Sequence, residues 1–282
     1  MLGDGVALTA LMVAAARAIE THRADCLARD DYAEHFVRSA PASADWPVRP
    51  EDVPAGDANP LWGRLARYFG LRTRMLDDVV LAAGNRQAVL LGAGLDTRAF
   101  RLAWPPDSVV YEVDRPAVLA FKQQVLDGLG ARPRATRHPV AADLRDDWAH
   151  LLPGFRPDEP TTWVAEGVLL YLPSAAERRL IDTVDRLSAP GSTLAYEVKP
   201  LPENASARDS PVYTSTKDQI GIDLLALFDA EPRPDSAATL ASRGWTTHVH
   251  TPFEFTRRHG RGPLPEPHDA LAANRWVIAT KT

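Results

Sequence analysis

Over its first 80 residues the chain repeats apolar positions at helical spacing, and beyond them it alternates short apolar runs with amphipathic stretches. Leu8, Leu11, Met12, Ala15 and Ile19 follow the period of a helix that carries Arg17 and Glu20 near its end, and residues 24–37 continue in the same style. Residues 39–60 hold five prolines, one tryptophan and little periodicity. They read as a loop long enough to form a lid or to lack regular structure. Helical spacing returns over 62–80 and carries Arg72 and Arg74 up to the first short apolar run.

The apolar runs fall at 89–91, 109–113, 136–140, 161–165, 192–198, 245–250 and 275–280, with helical patterns at 116–129, 175–187 and 217–228 between them. Pro116 stands where helix starts favour proline, and Pro190-Gly191 closes the helix before it. Alternation of strand and helix predicts an α/β fold around a parallel sheet, with the last two strands paired antiparallel. No internal repeat is present, and one domain over 1–282 is expected: a helical cap and lid over 1–80, a cofactor-binding core over 85–200, an inserted cap segment over 201–234 and the last strands over 235–282.

The first run ends in Gly92-Ala93-Gly94 and the second in Glu112-Val113-Asp114. A buried strand running into glycines lets a ligand approach the backbone, and an acid about 20 residues on is placed to bind a ribose. A dinucleotide fingerprint needs a third glycine at position 97, where this chain has Thr97, and Asp96 beside the turn repels phosphates. The pattern fits S-adenosylmethionine, which has no pyrophosphate, better than NAD. Glu166 ends the fourth run, and an acid at the tip of a central strand is costly unless it is solvated or paired, so it marks a site near the cofactor's charged groups.

Leu91-Gly92-Ala93-Gly94-Leu95-Asp96-Thr97-Arg98, Glu112-Val113-Asp114, Ala142-Asp143-Leu144-Arg145 and Ala165-Glu166-Gly167-Val168-Leu169-Leu170-Tyr171-Leu172 resemble, in order, the motifs of the leucine carboxyl methyltransferase family, and residues 11–36 resemble the N-terminal helices of its bacterial small-molecule branch. The resemblance covers essentially the whole chain and departs most over 39–60 and 200–234, the parts expected to shape substrate choice. It implies a class I methyltransferase-type, doubly wound seven-stranded sheet with an N-terminal helical cap and an inserted lid. It assigns cofactor binding to Gly92, Ala93, Gly94, Glu112, Asp114, Asp143, Leu144 and Glu166. Arg72 matches an arginine that holds the cofactor carboxylate, with Arg17 assisting, and Asp143-Leu144 matches the pair that contacts the adenine. Tyr171 falls where the family places a tyrosine facing the methyl acceptor, although it could equally fill core.

Composition narrows the function without choosing it. A net charge of -5 and a pI near 5.9 argue against a nucleic-acid or acidic-membrane partner. The single cysteine, Cys26, excludes an internal disulfide and suits a reducing cytoplasm; its plainest reading is a buried helix residue. The small apolar stretch 6–16 is preceded by Asp4 rather than by a basic segment, so it is expected to be a helix and not a secretion signal. His248 and His250, taken to alternate across their strand, are not expected to share a metal. The expected activity is methyl transfer from S-adenosylmethionine to a small-molecule or peptide-like carboxylate in secondary metabolism. Alternatives are a phenol or hydroxyl acceptor, an NAD(P)-dependent oxidoreductase, or a protein that binds the cofactor without catalysis. His259, if folded into the site, would favour an acceptor that needs a base.

Overall fold

In the computed structural model, which describes residues 5–199, 210–265 and 269–282, the apolar runs become seven strands of one sheet in the order β3-β2-β1-β4-β5-β7-β6. They are β1 (Gln87–Leu91), β2 (Val109–Asp114), β3 (Thr136–Ala141), β4 (Thr161–Ala165), β5 (Thr193–Val198), β6 (Trp245–His250) and β7 (Arg275–Lys281). The first five are parallel, and β7 runs antiparallel to both β5 and β6. β1 and β4 are buried at every position, as strands covered on both faces must be. Their side chains divide by alternation. Ala88 and Leu90 join the core beneath the N-terminal helices, while Val89 and Leu91 join a second core on the opposite face.

Helices α1 (Gly5–Thr21), α2 (Ala33–Ser39) and α3 (Trp62–Ala83) form the cap. The pattern over 24–37 yields a helix only from Ala33. Before it the chain turns, held by Glu20, whose Oε1 accepts from Leu27 N at 2.5 Å and whose carboxylate takes two N–H groups of Arg261. Cys26 lies half-buried in that turn rather than inside a helix.

The segment 39–60 is ordered as turns with two short 3-10 turns, Pro50–Asp52 and Gly56–Ala58. Trp46 packs on Trp62 with ring centroids 5.6 Å apart, Arg38 bonds the carbonyls of Ala44 and Trp46, and Asn59 Oδ1 accepts from Leu61 and Trp62 at the start of α3. No residue of 39–60 lines the cavity described below, so the expectation of a lid there is overturned. The segment clasps the start of α3.

Of the remaining helices, α4 (Arg98–Arg101), α5 (Pro116–Gly128) and α6 (Ser174–Arg186) fall between core strands. In the insertion, the helix expected at 217–228 is two: α7 (Pro211–Ile220) and α8 (Leu224–Leu227). Pro211 starts α7 at its first position, and Gly221, at φ +72, ends it in the left-handed conformation that glycine adopts without strain. Residues 200–209 of the expected insertion lie outside the described residues. Helices α9 (Ser236–Ala241) and α10 (Pro252–His259) flank β6. His248 and His250 stack at 6.2 Å on one face, correcting the expectation that they alternate, because residues two apart along a strand point the same way. Among the described residues no group of three potential ligands could hold a metal, and no helix is long and apolar enough to cross a membrane.

Candidate active site

A cavity of about 310 Å³ opens at the carboxyl edge of the sheet, where the strand order reverses between β1 and β4. That is where open parallel sheets bind ligands. α1 roofs it with Val6, Thr9, Ala10, Val13 and Arg17, and the insertion adds Tyr213, Leu224 and Phe228. The two roof pieces meet where Gly5 abuts Leu227: a Cβ on Gly5 would lie 2.8 Å from Leu227 Cδ2.

The floor is the turn after β1. Gly92 N and Ala93 N donate to Val113 O at 2.9 and 3.1 Å, which folds the turn over the end of β2. Gly92 has φ +67, and a Cβ there would stand 2.6 Å from Val168 Cγ2, so no other residue fits. Gly94, at φ +46, donates its N–H to Asp114 Oδ2 at 2.6 Å, and Arg115 N donates to Oδ1 at 2.7 Å. Burial pushes the Asp114 carboxyl above its usual value, against the pull of these two donors. Asp114 is thus aimed by the turn it caps, with its edge facing the cavity.

Behind the floor lies a buried chain of charges. Arg72 on α3 bridges two strand tips, reaching Glu166 Oε1 from Nε at 3.1 Å and Nη2 at 3.0 Å, and Glu197 Oε2 from Nη1 at 2.6 Å. Arg98, wholly buried, donates to Glu166 Oε2 at 2.7 Å, to Asp77 at 2.8 Å and to Asp96. Arg101 completes the Asp77 pair at 2.5 and 2.7 Å. Burial alone would push the Glu166 carboxyl up, but the guanidiniums of Arg98, Arg72 and Arg17 outweigh it and hold Glu166 well below the usual carboxylate range. Arg17 itself donates to Leu95 O at 2.6 Å and faces Asp30 at 3.3 Å, tying α1 to the turn.

Asp143 and Leu144, from the loop after β3, line the cavity beside Asp114, and Asp143 is paired with Arg145 at 2.6 Å. Glu112 does not reach the cavity. It lies on the same side of β2 as Asp114 but two residues back from the strand tip, where it is fully buried between Lys122 Nζ at 2.8 Å and Arg137 Nη2 at 2.7 Å. Its assignment to the cofactor is therefore corrected to a structural ion pair binding β2 to α5 and β3. His259 also stays outside, 3.7 Å from Asp78.

At the far end of the cavity, Tyr171 packs on Phe228 at 5.8 Å, and burial raises its hydroxyl pKa. Lys199 Nζ lies over the rings of Tyr213 and Phe228 at 5.2 and 5.4 Å. Glu197 Oε1 accepts from Tyr68 OH, from Asn274 Nδ2 at 3.0 Å and from Trp276 Nε1 at 3.4 Å. Glu197, Lys199, Asn274 and Tyr68 were not picked out by the motifs. The signal was present for Glu197 and Lys199, since both stand at the carboxyl end of a predicted central strand, as Glu166 does.

Residues 10–185 match the model of the leucine carboxyl methyltransferase family. A Streptomyces coelicolor protein, named by inference an S-adenosyl-L-methionine-dependent methyltransferase, is 66% identical over 98% of this chain and 93% of its own length. A Saccharopolyspora erythraea protein named in the same way is 47% identical over 99% of this chain and 96% of its own. Among solved structures, a DUF574-family protein from Streptomyces avermitilis shares the fold with a TM-score of 0.54 at 16% identity, covering 94% of this chain and 99% of that one.

Proposed function

The chain belongs to the leucine carboxyl methyltransferase family and is an S-adenosylmethionine-dependent methyltransferase, and from that premise we propose that its acceptor is the carboxylate of a small molecule, giving a methyl ester. The cavity fits the cofactor. Two positive-φ glycines leave the floor bare, Asp114 is held at the tip of β2 as an acceptor for hydroxyls, and Glu166 stays ionised beside three guanidiniums. Gly94 and Asp114 would hold the ribose, Asp143 and Leu144 the base, and Arg17, Arg72 and Glu166 the amino-acid end.

Bound there, S-adenosylmethionine supplies a methyl group on a positively charged sulfur; as a carboxylate oxygen forms the new O–C bond, the S–C electron pair stays on sulfur and no proton has to leave. The protein aligns the two reactants and excludes water, and such alignment is worth several kcal/mol of barrier. The α1 roof and the aromatic wall of Tyr171, Tyr213 and Phe228 perform the exclusion.

One observation carries the choice of acceptor. The lining pairs Arg17, Arg72, Arg115, Arg145 and Lys199 with Asp96, Asp114, Asp143, Glu166 and Glu197, as many bases as acids. A balanced cavity that takes in a net positive cofactor is best completed by an anion, and carboxylic acids are anionic at pH 7 with a pKa near 4. The purified enzyme incubated with a panel of acids is expected to yield a product that mild alkali hydrolyses back to the acid, at a rate sustained down to about pH 5. An alkali-stable methyl ether, formed at a rate that falls below pH 7, would falsify the proposal.

A further inference from the structure

Just beyond the last paired residues of β5 and β7, polar side chains gather on one face of the sheet. The register runs Glu197↔Trp276 and Val198↔Arg275, so continuing it sets Lys199 opposite Asn274. Opposed residues of an antiparallel ladder share a face, as do residues two apart, which puts Lys199 and Asn274 on the side that holds Glu197 and Trp276. Lys199, Glu197 and Asn274 all line the cavity.

Asn274 is only 7% exposed. Its Nδ2 donates to Tyr68 OH at 2.9 Å and to Glu197 Oε1 at 3.0 Å. A carboxylate can only accept, so the nitrogen is the atom that faces Glu197, and Oδ1 turns the other way. Oδ1 is buried without a hydrogen-bond partner among the described residues. Buried carbonyls are almost always satisfied, so an orphan on a residue that lines the cavity marks where a ligand N–H or O–H would be satisfied. Beside it Lys199 fixes a positive charge against Tyr213 and Phe228, with Leu224 and Leu271 completing an apolar wall.

We propose, resting on the carboxylate reading above, that this end of the β5–β7 ladder is the acceptor subsite and that it selects small carboxylic acids that also carry a hydroxyl or amide N–H. Lys199 takes the carboxylate, Asn274 Oδ1 accepts from the donor, and the apolar remainder lies against Tyr213, Phe228 and Leu271. Both residues position the acceptor and neither exchanges a bond with it. The Tyr68–Glu197–Asn274 hydrogen bonds fix the amide with Nδ2 toward Glu197 and Oδ1 turned from it.

Calorimetric titration of the full chain, saturated with S-adenosylhomocysteine, tests this with three probes: 2-hydroxy-3-phenylpropanoate, 3-phenylpropanoate and 2-hydroxy-3-phenylpropanamide. The hydroxy acid is expected to bind about tenfold or more tighter than either of the others. Lys199→Met should erase its advantage over the amide, and Asn274→Leu its advantage over the deoxy acid, each leaving S-adenosylhomocysteine affinity within about twofold. Equal binding of the three probes to the wild-type protein, or no binding of the hydroxy acid, overturns the proposal even if a variant fails to fold. Product chemistry separates it from the reading beneath it. A methyl ether on the hydroxyl would sink the carboxylate acceptor, whereas equal probe affinities with an alkali-labile product would sink the subsite alone.

Discussion

Glu166 is surrounded by more positive charge than any carboxylate needs to stay ionised, and that excess defines its role. With Arg98, Arg72 and Arg17 holding its pKa far below the ordinary value of 4.5, the charge is present in the folded state at every physiological pH. Its folded pKa is depressed, so the stability it contributes is complete above about pH 4.5 and is lost only as the pH falls through the folded value, deep in acid. Glu166→Gln leaves those guanidiniums buried without their shared partner, and the expected cost is about 3 to 5 kcal/mol. Thermal melts should show a deficit that stays constant from pH 8 to pH 5, and a deficit that shrinks across that range would contradict the pairing. Asp114 gives a milder case. Asp114→Ala should weaken S-adenosylhomocysteine binding by roughly 2 to 3 kcal/mol, the size of lost charge-assisted hydrogen bonds, with an intact melt as the control. Both acids were legible in the sequence because each ends an apolar run. Glu112 was misread for the same reason: it shares Asp114's side of β2 but stands two residues back from the tip, where Lys122 and Arg137 hold it inside the fold, a distinction that needs the packing of α5 and β3.

Elements whose ends are written in local chemistry were readable, and those held by distant contacts were not. β4 falls where its apolar run predicted, whereas residues 39–60 look irregular in sequence because their order comes from side chains outside them, Trp62 on Trp46, Arg38 on the Trp46 carbonyl and Arg23 on Asp57. The two irregular segments should therefore fail differently. Trp46→Ala, at a half-buried ring, is expected to lower stability by about 2 kcal/mol while the surviving folded enzyme keeps its acceptor KM. Phe228→Ala, in the cavity wall, should raise that KM with a smaller stability loss; the reverse pattern in steady-state kinetics and melts would restore a lid at 39–60. α10 offers a pH-dependent test of capping. Thr251 N–H and the His250 ring hold the Glu254 carboxyl at about 2, against its ordinary 4.5. That stabilisation is complete above about pH 4.5 and fades toward pH 2. Glu254→Gln should cost about 0.5 kcal/mol at neutral pH, since the carboxylate is partly exposed, and the gap in denaturant melts should close on acidification.

At the scale of the whole molecule the sheet does two things, gathering the strand tips that carry Gly92, Asp114, Glu166 and Glu197 into one rim, and reversing its direction once, at β7. The rim follows from the alternation of strand and helix and is legible in the sequence. The balance of charge along it was not, because α1, α3 and the insertion contribute side chains from more than 200 residues apart, and Arg72 meets Glu197 only after the sheet has formed. The reversal has a further consequence. Running against β5, β7 delivers Lys281 and Thr282 beside Thr193 and Gly244, at the rim opposite the cavity. An attachment made at Thr282 can therefore tether the enzyme to a sensor surface with its mouth facing the flowing solution, so that ligand arrival and departure are timed on the bare site, while an anchor through α1 would bolt the roof to the support.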